Sequence, residues 1–66
     1  MENVRFPIEA IRIKMNLTRP QMAEAMQISL DRYHRLASGD SKMLASELMR
    51  LHEISQIPYE NIEVSI

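Results

Sequence analysis

Ile8, Ile11 and Met15 recur at spacings of three and four, with Glu9, Arg12 and Lys14 between them, which lays one apolar stripe along a helix. Pro7 predicts the start of that helix, because a fixed φ and a missing N–H suit a first helical position. Asn16-Leu17 predicts its break. Thr18 then opens a second helix. Gln21 lies three residues on, so Thr-x-x-Gln forms a capping box, and Pro20 removes an N–H that has no helical partner. Met22, Ala23 and Met26 make the inward face, and Gln27-Ile28-Ser29 reads as a turn in which Ser29 caps a third helix. Across Leu30–Ser38, at about 100° per residue, Leu30, Tyr33, Leu36 and Ala37 share one face. Asp31, His34, Arg35 and Ser38 take the opposite face, flanked by Arg32, and Gly39 is a natural helix stop. A fourth helix is expected from about Lys42 to Ser55, with Leu44, Leu48, Leu51 and Ile54 on one side. Ile57-Pro58 breaks it, and Tyr59–Ile62 suits one more short helical turn. The tail from Ile62 to Ile66 alternates apolar and polar, as does Val4-Arg5-Phe6, so a small antiparallel pairing of the two, within or between subunits, is allowed.

Composition narrows the function classes. Sixty-six residues predict one domain over 1–66, and a core of that size contributes only about 3–5 kcal/mol net. A single Gly, with Ala, Met, Leu, Glu and Arg in number, favours helices over a turn-rich β fold. The absence of Cys removes disulfides and thiolate zinc sites, and fits a reducing cytoplasm. His34 and His52 have no paired ligand spacing, so no metal is expected. There is no Gly-rich phosphate loop and no acid–base constellation, which argues against an enzyme, a cofactor or a small-molecule substrate. Apolar runs are only a few residues long, so neither a membrane span nor a signal peptide is expected. Net charge is −1 but unevenly spread: residues 1–38 hold six basic and four acidic side chains, residues 39–66 two basic and five acidic. That basic footprint is faint for a nucleic-acid binder.

Two short helices joined by a tight turn need a small side chain where their axes approach, and Ala23 supplies it; Ile28 plugs the turn, while Tyr33 and Leu36 seat the third helix. The stretch LTRPQMAEAMQISLDRYHRLASG resembles the helix-turn-helix of the phage repressor and Cro family of transcriptional regulators. The likeness runs over residues 8–62 and includes Arg12, Leu17-Thr18, Ala23, Ile28-Ser29, Gly39, the leucines of the fourth helix and the Ile57–Ile62 ending. It implies an all-α, four- to five-helix, lambda-repressor-like bundle with the helix-turn-helix at 18–39. It also implies a homodimer on double-stranded operator DNA, with the third helix in the major groove.

Carried onto matching positions, the resemblance puts Arg19 on phosphate, and Leu30, Asp31 and Arg35 toward base edges. Arg32, His34 and Ser38 would lie near the backbone or groove wall, with Gln21, Ser29 and Lys42 completing the contact set. The chemistry suits: Arg35 can chelate guanine O6 and N7, Leu30 can touch a thymine methyl, and Asp31 can accept from cytosine N4. Each residue also has a structural reading, with Asp31 complementing the helix dipole, Leu30 at the edge of the core, and Arg32 and Arg35 on a solvated face. The chain departs from the family pattern in four places. Ala37 stands where a Glu often pairs with the first-helix arginine, so Arg12 lacks that partner. Asp40-Ser41-Lys42 is nearly neutral where the loop is usually basic, Gln27 replaces a turn Gly, and Ser55 replaces a large apolar residue. A second function class therefore stands beside DNA binding: a protein-binding helix-turn-helix module, an antirepressor or modulator that docks on another repressor.

Overall fold

The structure, a computed structural model, describes residues 4–64. It is all-α: α1 (Ile8–Lys14), α2 (Arg19–Met26), α3 (Leu30–Ser38), α4 (Ala45–Ser55) and a 3-10 turn (Tyr59–Asn61). The local chemistry that starts and stops α2 and α3 is that expected from sequence. The Thr18 hydroxyl accepts from the Gln21 N–H while the Gln21 side chain accepts from the Thr18 N–H, closing the capping box. Ser29 Oγ accepts from the Arg32 N–H at 3.0 Å and opens α3. Gly39 ends it at φ 85°, and Gln27 ends α2 at φ 61°, a left-handed conformation that costs a side-chain-bearing residue roughly 1 kcal/mol.

One cluster of buried residues joins the four helices. Tyr33, Ile11, Met22 and Leu51 are wholly enclosed, with Ile8, Ala23, Met26, Leu36, Met43, Ile57 and Ile62 around them. Ala23 is buried in this cluster, and Ile28 in the turn between α2 and α3 packs on it. Three expectations change. Pro7 is the N-cap of α1 rather than its first residue: its carbonyl accepts from the Ile11 N–H, and its ψ of 160° is extended. The fourth helix starts at Ala45, not near Lys42: Lys42–Leu44 is non-helical, and Leu44 is its extended N-cap. Leu44 is therefore 59% exposed, off the apolar side assigned to it, and Met43 fills the core instead.

The third change concerns the ends. Phe6 and Ile62 form an isolated bridge that is parallel, not antiparallel. Phe6 N–H donates to Asn61 O at 2.8 Å, and Glu63 N–H donates to Phe6 O at 3.0 Å. An antiparallel pair needs only a hairpin, whereas parallel segments need a long connection, and here the whole helical body provides it. The ladder goes no further because Ile8, the next residue that could pair, already belongs to α1. Positions 65 and 66 of the alternating tail lie outside the described residues.

Candidate functional site

α3 divides sharply. Tyr33 and Leu36 are buried and Ala37 half-buried, while Leu30, Asp31, His34, Arg35 and Ser38 are exposed and fall within an arc of about 140°. Leu30 sits at the margin with 40% of its surface open, so it belongs to the exposed face more than to the core. Asp31 lies in the first turn, where a carboxylate suits the helix dipole, and Arg35 in the last. Neither takes part in an ion pair among the described residues.

Two of the sequence-derived arginines are not free on that face. Arg32 turns back over the α3–α4 loop and forks onto Glu47, Nε to Oε2 at 2.8 Å and Nη2 to Oε1 at 2.9 Å, with Nη2 also donating to the Lys42 carbonyl at 3.1 Å. Glu47 is only 6% exposed and accepts a further bond from the Leu44 N–H at 2.8 Å. The Arg32 hydrogen bonds hold its carboxyl below the usual range, against the opposing effect of burial, and the Leu44 N–H adds to them. Arg32 therefore ties α3 to Lys42 and Glu47 and is not part of the open face. Lys42 itself is exposed beside it.

Arg19, at the start of α2, is bound to Glu9 of α1: Nη2 to Oε2 at 2.8 Å and Nε to the same oxygen at 3.1 Å. The other Glu9 oxygen receives Arg12 Nε at 2.7 Å and the Tyr33 hydroxyl. Burial disfavours the Glu9 anion, but hydrogen bonds from Tyr33, Arg12 and Arg19 outweigh that and bring its pKa down to about 2. Burial and the bond to this carboxylate push the Tyr33 phenol up. Arg12 also donates to the Leu17 carbonyl at 2.7 Å, tying α1 to the start of α2. Glu9 thus gives Arg12 the carboxylate that Ala37 withholds. Sequence reading missed this hub, although the Glu9–Arg12 spacing of three, which stacks the pair on one helix face, was there to be found. Glu47 was missed as well: its bond to the Leu44 N–H is local, but its partner Arg32 lies fifteen residues away.

No family model, curated protein or solved structure matches this chain. The assignment of a role therefore rests on the geometry and on the residues themselves. Gln21 and Ser29, expected in the contact set, have their side-chain oxygens committed to helix caps, though both residues are exposed. Beside the open face of α3, Glu9, Arg19, His34, Ala37 and Ser38 line a shallow recess of about 290 Å³. Among the described residues no cluster of three or more His, Asp or Glu could hold a metal ion, and no helix is long and apolar enough to cross a membrane.

Proposed function

We propose that this chain is a sequence-specific DNA-binding transcriptional regulator of the phage repressor and Cro type, acting as a cytoplasmic homodimer. In this reading α2 and α3 form the helix-turn-helix, and α3 enters the major groove. The observation that carries it is the open face of α3: Leu30, Asp31, His34, Arg35 and Ser38 stand clear of the core while Tyr33 and Leu36 lock the helix from behind. A rigidly seated helix with an uncovered polar face is what base reading requires. Arg35 is the residue to bind guanine, Leu30 the one to meet a thymine methyl, and Arg19 and Lys42 flank them as phosphate contacts. The test is fluorescence anisotropy of labelled duplexes from the DNA flanking the chain's own coding region, at two salt concentrations. Arg35→Ala is expected to cost about 1–3 kcal/mol and to relax preference at one base position. Wild-type affinity and preference in that variant would refute the assignment of α3.

A second reading draws on a specific observation. Arg19 and Arg32 are both ion-paired, and Asp31 is exposed at the leading end of α3, so the face offers little uncompensated positive charge. That suits docking on the basic surface of another repressor. Asp31→Asn separates the two readings. On DNA the variant gains non-specific affinity, because a carboxylate near phosphates repels; on a basic protein it loses affinity.

A further inference from the structure

Glu9 is a carboxylate with two differently employed oxygens. Oε1 faces inward, where Arg12 and the Tyr33 hydroxyl hold it. Oε2 faces Arg19, whose side chain is 54% exposed at the rim of the recess beside α3. Both Arg19 bonds end on that one oxygen, and its second terminal nitrogen, Nη1, takes no part in them. A carboxylate and a phosphodiester offer an arginine the same thing, a delocalised anion with a planar pair of acceptors or its equivalent. Glu9 also keeps its other two donors when Arg19 departs, so its own charge is not stranded.

Resting on the DNA-binding reading above, we propose that Glu9 is a positioning residue that occupies Arg19 in the free protein and yields it to a backbone phosphate on binding. The exchange replaces one charge-assisted contact by another, so Arg19 contributes orientation at little gain in affinity. An arginine held on Glu9 at the rim of the recess is released close to one phosphate position, whereas a free one would sample many. Glu9 also subtracts its charge from the surface near Arg19, which suppresses binding to arbitrary DNA more than binding to a site that places a phosphate correctly. The faint basic footprint of the chain is then a means of discrimination.

The test is a double-mutant cycle on a generic 20-base-pair duplex at low salt, using Glu9→Gln, Arg19→Ala and the pair. Glu9→Gln is expected to tighten generic binding about three- to tenfold and to steepen its salt dependence by close to one ion. In the Arg19→Ala background the same change is expected to do nothing. Equal tightening in both backgrounds would show Glu9 acting as bulk charge and would overturn the proposal, as would a folded Glu9→Gln that binds no tighter than a wild type that does bind the duplex. A second measurement keeps the two readings distinct. The ¹⁵Nε–H signals of Arg12 and Arg19 are followed in wild type during titration with inorganic phosphate and with the duplex. Movement of Arg19 with Arg12 fixed supports the exchange even where Glu9→Gln fails to fold; both signals moving together, or neither, refutes it. If no duplex binds wild type or variant while phosphate still moves Arg19 alone, the DNA reading falls and the Glu9–Arg19 exchange survives.

Discussion

Glu9 and Glu47 each capture an arginine from another helix, yet the two clusters do opposite things. Glu47 is buried, and its Arg32 is bound by a fork that leaves about a quarter of that side chain open. Together they fix the α3–α4 loop, with the Leu44 N–H and the Lys42 carbonyl drawn in. Glu9 keeps a quarter of its own side chain open, holds three donors and belongs half to the core and half to the surface. The difference teaches how a chain with few cations can use the same ion pair in two ways. Where the carboxylate is buried, the pair is a matter of fold. Where one partner is half in water, the pair sets what that partner is free to meet.

Glu47 offers the sharpest break. Removing the buried member of this pair leaves Arg32 and the Leu44 N–H without their acceptor, so Glu47→Ala is expected to cost about 2–3 kcal/mol, most of what so small a domain has. Urea unfolding checks it; a loss under about 1 kcal/mol would mean that water already serves Arg32. Acid comes next. The Glu9 pKa lies at about 2 in the fold against an ordinary 4.5, so its stabilisation is complete above pH 5 and is lost as pH falls toward 2. Discounted for solvent screening at a partly open site, this amounts to about 1–2 kcal/mol. Glu47, also shifted downward, loses stability in the same direction. Unfolding of Glu9→Gln followed between pH 6 and pH 2.5 is expected to be flatter than wild type, and curves of identical slope would contradict the hub. Arg19→Ala should barely register in stability, at most about 0.5 kcal/mol, because its side of the pair is open to water. A thermal melt that drops by many degrees would place Arg19 in the same class as Arg32.

The helices of this chain could be read almost residue by residue, because their signals are local. Thr18 with Gln21, Ser29 before Leu30 and Gly39 after Ser38 each act within four residues, and the apolar spacing around Tyr33 and Leu36 fixed which face of α3 is buried. The misreadings at the α3–α4 loop are non-local. Leu44 continues the leucine spacing of α4 perfectly, but it is the extended N-cap of that helix, and Met43 is buried in its place while Arg32 of α3 holds the Lys42 carbonyl just before. The candidate site was legible as a face and illegible as a charge distribution. Arg32 sits at the flank of the exposed arc, and only the fold shows Glu47 waiting for it. Arg12 is the local exception: Ala37 withholds one carboxylate, and Glu9, one turn back on the same helix, supplies another.

The parallel clasp between the segments at either end has a mechanical consequence. Three hydrogen bonds join them: Phe6 N–H to Asn61 O, Glu63 N–H to Phe6 O, and Asn61 Nδ2 to Val4 O. Tension applied by pulling outward at Val4 and at Val64 reaches these bonds before it reaches any helix. Since the segments run side by side in the same direction, the load falls on them as shear, all three straining together instead of opening in turn. The helical body is then shielded from a tug on its ends until the clasp gives way.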